Sequence, residues 1–435
     1  MPLGQPQLIE GTAPMVTTVR IRQRLERGLR ISLFVALCTI LMFGPLALGI
    51  VEDWSIALFE AAAAAVLLIW MTWHLAAAEI EVRWSPLFAP MIVFFGLVLV
   101  QIGFHRSVYL YDSLSELWLT IAYGILAFIG VQLASADGDF VVRFGKTMAA
   151  FGAVYAVYAV LQGFTSEGTI YWRIKPRAGN VYGSYVNHNH YAGFIELLFP
   201  FALVLALDGS VRGAKRVLLV FAATLMAASV FLCQSRGGMI AVTVETAFLA
   251  VFWMRRFSPR KSAAVFVLFC LVTASFLAWI APQVGSRITD IHDPARWLIH
   301  RDSFRMFAAH PFLGSGLGTF ATAFPHYRLF YDGFFINNAH DDYLELLLET
   351  GLAGFAAGVW FLVMLYREGL RNLQPAKPSP ASLICTAALA GCTGMLAHSF
   401  MDFNLHVPAN AALFYVLCAI ATAPLGGRSK SASNT

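Results

Sequence analysis

Residues 31–50 read ISLFVALCTILMFGPLALGI and contain no charged side chain. An α-helix rises about 1.5 Å per residue, so a run of this length crosses the roughly 30 Å hydrocarbon core of a bilayer. Similar runs recur along the whole chain. We count about twelve, near residues 31–50, 55–78, 85–103, 114–134, 143–163, 190–208, 215–232, 238–254, 263–281, 343–366, 381–401 and 409–425. The sequence therefore predicts an all-α fold, a polytopic transmembrane helical bundle.

The composition agrees with a membrane protein. Of the 435 residues, 58% are hydrophobic and only 13% are charged, whereas soluble domains average about 25% charged residues. These values exclude a large soluble domain. We expect membrane lipids among the partners of the chain, and no nucleic acid.

Lysine and arginine indicate the orientation. With the N-terminus in the cytoplasm, 20 of the 30 Lys and Arg residues fall on the cytoplasmic side, as the positive-inside rule requires. Both termini are then cytoplasmic. The predicted organisation is a basic cytoplasmic segment over 1–30, spans 1–9 over 31–281, a large helical periplasmic loop over 282–342, spans 10–12 over 343–425 and a cytoplasmic tail over 426–435.

Eight of the ten outer Lys and Arg residues lie in two loops, 164–188 and 282–342. A basic loop on the non-cytoplasmic face favours an anionic ligand at the membrane surface. The alternative is that these side chains are solvated or bind lipid phosphates.

Within the large loop, Asp293-Pro294 is typical of a helix start and Pro311 of a helix stop. A helix from Pro294 to about Ala309 is predicted. One face would carry Arg296, His300, Ser303 and Phe307, and the opposite face Arg301 and Arg305. Because only one face can line a site, the loop arginines are not expected to act together.

Other strings add candidates for chemistry. In NNAHDDYLELLLETG, His340 could be a general base or a structural histidine at a helix start. The GxGxG pattern of PFLGSGLGTF follows no strand, so a turn is favoured over nucleotide binding. In QSRGG, Arg236 marks a site or reaches toward lipid phosphate.

Two further strings lie at the predicted outer ends of spans. VNHNHYAGF contains a His-x-His pair without the spacing of a zinc motif, so we predict no metal site. In HSFMDFNLHVP, the side chains of His398, Asp402 and His406 share one helical face and could line a cavity with the loops.

Taken together, these motifs resemble the O-antigen ligase/polymerase superfamily of bacterial integral membrane glycosyltransferases. The matching strings are VNHNHYAGFIELLFP, QSRGGMIA, DPARW…AAHPFLGSGLGTF, NNAHDDYLELLLETGLAGF and HSFMDFNLHVPANAALF. They occur in the order of the family, and the region they span is about half of the chain.

The resemblance implies a reaction. A glycan on undecaprenyl diphosphate passes to an acceptor hydroxyl at the periplasmic face of the inner membrane, with inversion and without a metal, nucleotide or other cofactor. His340 matches the essential histidine, and Arg236 and Arg296 match the arginines that hold the diphosphate. Arg301, at a commonly basic position, is a further candidate for binding the diphosphate, although the helical faces favour Arg296. Asp341 replaces the usual asparagine. Additional candidates for substrate binding are Arg173, Arg177, Asn187, Asn189 and Asp342.

The sequence is compatible with several functions. A ligase would use lipid A–core as acceptor, and an O-antigen or exopolysaccharide polymerase would use the next lipid-linked repeat unit; we favour the ligase. A lipid-linked glycan transporter or flippase is the alternative of another class. It should carry ionisable residues at mid-membrane depth, whereas we expect the span centres to be nearly free of charge. A non-catalytic assembly subunit is the third possibility.

Overall fold

The computed structural model describes residues 13–77, 82–136, 138–176, 179–254, 294–331, 333–373 and 379–424. The described part contains thirteen α-helices and no β-strand, so the predicted all-α class is confirmed. The helices are α1 (Ala13–Leu46), α2 (Asp53–Ala77), α3 (Phe88–Gly103), α4 (Leu110–Ala136), α5 (Gly138–Thr165), α6 (His188–Leu207), α7 (Ala214–Leu232), α8 (Arg236–Met254), α9 (Pro294–Ala309), α10 (Phe320–Ala323), α11 (Asp342–Asn372), α12 (Pro380–His398) and α13 (Pro408–Ala421).

Eight of the described helices are long and apolar enough to cross a membrane, namely α1, α2, α4, α5, α6, α7, α11 and α12. Two apolar helices, α3 and α13, have only 16 and 14 residues. The predicted span near 263–281 lies outside the described residues. The structure thus confirms a bundle of membrane-length helices but does not confirm twelve spans.

The centre of the bundle is formed by α6, α12 and α13. Helix α12 packs against α6 and α8, and α13 packs against α4 and α12. Small side chains make these contacts close: a Cβ atom added to Gly391 of α12 would lie 3.0 Å from the carbonyl oxygen of Leu197 in α6. Close approach through small residues is the usual way in which helices associate within a membrane.

Several connections meet at one end of the bundle, which we call the loop end, where α11 begins. The amide of Asp342 donates to the carbonyl of Ser399 (2.9 Å), and the amide of Val108 donates to the carbonyl of Ser315 (2.8 Å). The connection after α5 joins this end, because the Tyr171 hydroxyl donates to the carbonyl of Leu46. The segments before α11 therefore pack beside the connections of the transmembrane helices.

Helix α11 is broken at Gly351, whose φ of 64° and ψ of −168° are not helical. The chain from Pro311 to Gly318 crosses this break: the amides of Leu352 and Ala353 donate to the carbonyls of Pro311 (2.9 Å) and Phe312 (3.1 Å). Gly314 is required there, because a Cβ atom would lie 2.2 Å from the backbone of Glu349. The break thus gives the loop its backbone partners.

The predicted loop helix is confirmed, because α9 extends from Pro294 to Ala309. Ser303 is fully buried and His300 is half-buried, whereas Arg301 and Arg305 are exposed. The two faces expected from the sequence are therefore distinct in the structure, with arginines separated between them.

Candidate functional site

Three pairs of an imidazole and a carboxylate lie at the loop end. Nδ1 of each histidine is within hydrogen-bond distance of a carboxylate oxygen. The pairs are His340 with Asp402 (3.2 Å), His398 with Glu196 (2.9 Å) and His406 with Asp342 (2.7 Å). Each joins segments that are far apart in the sequence, so the site forms only in the folded bundle.

His340 is held in a strained backbone conformation, with φ of 58°. The left-handed region costs an L-residue about 1–2 kcal/mol, and neighbours on both sides maintain it. The preceding amide, of Ala339, donates to Oε2 of Glu345 (2.8 Å). The next residue, Asp341, caps α11 by accepting from the amides of Tyr343 and Leu344, both at 3.0 Å. Such strain is common at functional sites.

The capping role of Asp341 explains why an aspartate can stand where the resemblance implies an asparagine. Asp and Asn are equally good N-cap residues because each presents an oxygen to the first amides of a helix. Burial raises the pKa of the Asp341 carboxyl, while its bond to Leu344 acts in the opposite direction. Asp341 can therefore fill the structural part of the asparagine position.

Asp402 fixes the tautomer of His340. Burial alone would raise the pKa of this carboxyl, but the hydrogen bond with His340 holds its pKa well below the usual range. An ionised carboxylate can only accept, so Nδ1 of His340 is the donor. In the neutral ring the lone pair is then on Nε2, as in other carboxylate-oriented histidines.

Phe403 completes the surroundings of this pair. Its amide donates to Oδ1 of Asp402 at 3.0 Å. Its ring lies edge-on to two imidazoles, 5.1 Å from that of His340 and 4.7 Å from that of His190. Oδ2 of Asp402 is buried and has no hydrogen-bond partner within the described part of the chain.

Helix α9 is attached on both sides of the His340–Asp402 pair. Nη1 of Arg296 donates to the carbonyl of Met401 (2.7 Å), directly before Asp402. One turn along, Nε2 of His300 donates to the carbonyl of Ala339 (3.2 Å), directly before His340. Arg296 is thereby held next to the candidate base.

Arg236 is exposed at the start of α8. The next residue, Gly237, places it near the end of α12. A Cβ atom on Gly237 would lie 2.2 Å from Cδ2 of His398, so the α8 backbone lies directly against the buried His398–Glu196 pair. His398 is four residues before Asp402. The structure therefore brings Arg236, Arg296 and His340 around the end of α12.

The remaining candidates have other positions. Arg301 projects from the outward face of α9 and pairs with Asp302 at 2.9 Å. Asn187 is the N-cap of α6 and accepts from the amide of Asn189 at 2.9 Å. Arg173 is exposed in the loop after α5. Arg177 lies outside the described residues.

Asp342 belongs to a buried network rather than to an open surface. Its Oδ2 accepts from the amide of Leu405 at 3.1 Å, in addition to the pair with His406. Nε2 of His406 also lies 3.5 Å from Glu345. Burial alone would lower the pKa of His406, but the two carboxylates raise it well above its usual value. A protonated His406 therefore links the start of α11 to the segment before α13.

The sequence placed His398, Asp402 and His406 on one face but did not reveal their partners. Glu196 and Glu345 were missed because each lies within an apolar run, where an isolated acid suggests no partner. The GxGxG turn also binds a side chain that the sequence did not indicate. The amides of Gly318 and Phe320 donate to the carboxylate of Glu349 at 2.8 and 2.9 Å. Within the described residues, no group of three or more His, Cys, Asp or Glu is arranged to hold a metal ion.

One expectation about the spans is wrong. Glu245 lies near the middle of α8 and Glu196 lies within α6, and both are fully buried. The span centres are therefore not nearly free of ionisable residues. Glu196 has His398 as a partner, whereas no hydrogen-bond partner of Glu245 is found in the described part of the chain.

Comparison with known proteins agrees with the motifs. The family model described as O-Antigen ligase matches residues 221–359, about a third of the chain. The matched region includes Arg236, Arg296 and His340, and it ends before Asp402. No curated protein matches the chain. Over residues 221–359 the chain is therefore similar to the O-antigen ligase family, in agreement with the motifs.

Proposed function

We propose that this protein is an O-antigen ligase-type glycosyltransferase of the bacterial inner membrane. It would move a glycan from undecaprenyl diphosphate to a hydroxyl of lipid A–core at the periplasmic face. The observation that supports this most directly is the His340–Asp402 pair beside Arg296. The proposed topology places both termini in the cytoplasm and residues 282–342 in the periplasm, so that the loop end faces the periplasm.

In the proposed reaction, the acceptor oxygen attacks the anomeric carbon on the face opposite the diphosphate. The new C–O bond forms as the bond from the anomeric carbon to the diphosphate oxygen breaks, so the centre inverts. Nε2 of His340 takes the acceptor proton, and the bonding electrons leave with the diphosphate. Asp402 stabilises the imidazolium that forms. The step needs no metal or nucleotide.

Arginine suits the leaving group. The guanidinium donates two parallel hydrogen bonds to phosphate oxygens and gains energy as negative charge develops on them. Arg236 and Arg296 approach the end of α12 from two different helices. We propose that they hold the diphosphate between them, while Arg173, Arg177, Asn187 and Asn189 contact the glycan from the loop after α5.

A transporter or flippase is the competing function. The buried Glu196 and Glu245 are the observation in its favour, because ionisable groups inside a bundle are typical of transport pathways. Glu196, however, is hydrogen-bonded to His398, which packs against Gly237 next to Arg236. We therefore assign Glu196 to the structure that holds the candidate site. We regard the enzyme as the better explanation because it accounts for the arginines and His340 together.

The test is transfer in a reconstituted bilayer from an undecaprenyl-diphosphate oligosaccharide, with EDTA present and lipid A–core as the sole acceptor. We expect glycosylated lipid A–core with the wild-type protein and none with His340→Ala or Arg236→Ala. The matched controls are His326→Ala and Arg106→Ala, which replace exposed residues outside the site. Lengthening of the donor glycan without transfer to lipid A–core would instead indicate a polymerase. Donor movement across the bilayer without either product would support a flippase.

A further inference from the structure

The outward face of α9 combines exposed aromatic and cationic side chains. Trp297 and Phe304 are each 64% exposed. Arg301, between them in the sequence, and Arg305, next to Phe304, are exposed as well. Their spacing of four, seven and eight residues from Trp297 places all four on one side of the helix. The guanidinium of Arg301 lies 5.5 Å from the centre of the Trp297 ring. Asp302, the only acid in α9, is buried.

This face cannot turn inward, because the opposite face is anchored. Ile299 and Met306 are buried in a small apolar core with Phe324 and Leu348. Asp302 accepts from the amide of Leu329 at 2.7 Å. Arg301 and the Leu329 amide hold the pKa of the Asp302 carboxyl below its usual value, despite burial acting in the opposite direction. The aromatic and cationic face is thus a fixed feature of the surface.

The end of α9 lies level with the beginning of a membrane-length helical segment. Two residues after α9, Pro311 accepts from the amide of Leu352, just past the break at Gly351. From Gly351 to Asn372, α11 is about 33 Å long at 1.5 Å per residue, which matches a hydrocarbon core. The nine residues from Asp342 to Thr350 then lie outside the hydrocarbon core, on the side of the loop end. Helix α9 packs against them, because Ile299 and Met306 share an apolar cluster with Leu348.

Exposed aromatic residues also occur at the loop end of the neighbouring helices α3 and α4. The α3–α4 connection is joined to the loop by the bond from Val108 to Ser315. In and beside this connection Phe104, Tyr109 and Tyr111 are exposed, and Phe312 is 71% exposed in the loop itself. Rings at one level around a helical bundle are typical of a membrane–water interface.

We propose that α9 is an interfacial helix that lies in the headgroup layer of the bilayer. Trp297 and Phe304 contact the boundary of the acyl region, and Arg301 and Arg305 bind the phosphates of anionic phospholipids. A basic helix with aromatic residues on its exposed face is suited to this position. Arg301 is thereby assigned to lipid phosphate, whereas Arg296 on the inward face is left for the diphosphate of the donor. The placement of α9 does not depend on the proposed enzymatic reaction.

The first experiment measures the depth of the outward face. A nitroxide is attached at Phe304→Cys, or at Ala308→Cys as a second exposed position, with Cys270→Ser as background because the five described native cysteines are buried. Collision rates with oxygen and with a water-soluble nickel chelate are compared in nanodiscs containing phosphatidylglycerol. The bilayer reference is Val154→Cys on the exposed side of α5, and the water reference is Arg212→Cys in a polar connection.

We expect the ratio of oxygen to nickel collisions at 304 and 308 to lie between those of Val154 and Arg212, as for a label at the boundary of the acyl region. Ratios at both positions equal to that of Arg212 would overturn the proposal. Because two label sites are used, misfolding of one variant still leaves a decisive measurement.

The second experiment tests the phosphate contact. Bound phosphatidylglycerol is counted by native mass spectrometry for the wild type, Arg301→Gln/Arg305→Gln and the charge-preserving control Arg301→Lys/Arg305→Lys. We expect the glutamine variant to bind this lipid about fivefold more weakly per arginine removed, and the lysine control to retain most of the binding. Competition by inorganic phosphate at equal concentration would show a site for free phosphate instead. Unchanged lipid binding in the glutamine variant would also overturn the proposal.

Discussion

Nδ1 of His340 donates to Oδ1 of Asp402 across 3.2 Å, although 62 residues separate them in the sequence. The two residues come from the start of α11 and from the connection between α12 and α13. Because Asp402 can only accept, this bond sets which nitrogen of His340 faces a substrate. Asp402 is therefore a positioning residue for the proposed base.

We predict that Asp402→Asn lowers glycan transfer by about 10²- to 10⁴-fold, the range associated with positioned proton transfer. The loss should fall on kcat with the donor KM unchanged, because Asp402 orients the proposed base and does not hold the diphosphate. Initial rates over a range of donor concentrations would measure both constants. A loss of activity that only follows the loss of folded protein would point to a merely structural role.

Gly237 is predicted to be intolerant of a side chain. In Gly237→Ala the new methyl group would overlap the His398 ring, which lies 2.2 Å from the Cβ position. Overpacking of this kind costs about 1–3 kcal/mol, so the melting temperature in detergent should fall. Gly96→Ala is the matched control, because nothing lies within 4 Å of its Cβ position in α3. Equal melting temperatures for the two variants would contradict the packing described here.

The turn after Pro311 is predicted to depend on Glu349. Replacement by alanine removes the acceptor for the amides of Gly318 and Phe320, and each unsatisfied buried donor costs about 1–3 kcal/mol. Hydrogen exchange of residues 313–323 should accelerate in Glu349→Ala and much less in Glu349→Gln, which keeps one acceptor oxygen. Unchanged exchange in the alanine variant would show that the turn is stable without the carboxylate.

The pair of His406 with Asp342 is predicted to stabilise the protein in a pH-dependent way. The pKa of His406 is raised in the folded protein, so its stabilising effect is fully present below the ordinary value of 6.5 and is lost as the pH rises through the raised value. Melting temperatures of the wild type and His406→Gln should differ most near pH 6 and converge at alkaline pH. A difference that grows with pH would refute this assignment, and His326→Gln is the control.

Local signals in the sequence were sufficient for some elements. The bounds of α9 follow from an Asp-Pro start and a Pro311 stop, and the division of its arginines follows from helical periodicity alone. The break at Gly351 was not predicted, because a single glycine within an apolar run also fits an unbroken helix. Helices α3 and α13 were predicted over 85–103 and 409–425 but have only 16 and 14 residues, because hydropathy does not fix where a helix begins or ends.

The candidate site was only partly predictable. His340, Arg236 and Arg296 were predicted from motifs, and the structure places all three near the end of α12. The partners Glu196, Glu345 and Asp402 could not be assigned, because a carboxylate that pairs with a residue 60 to 200 positions away leaves no local pattern. Side chains that bind substrate are often marked by their neighbours in sequence, whereas those that orient them are defined by the fold.

The contacts beside the break at Gly351 form late in the synthesis of the protein. The loop residue Leu313 and the α11 residue Glu349 both accept, through their carbonyls, from the side-chain amide of Gln101 in α3, which lies 212 and 248 residues earlier in the chain. At about 5–20 residues per second, a ribosome needs roughly 12–50 s to supply the second acceptor. During that interval the end of α3 holds a carboxamide without its final partners. The packing at the end of α3 is thus completed only after the chain has been synthesised as far as Glu349.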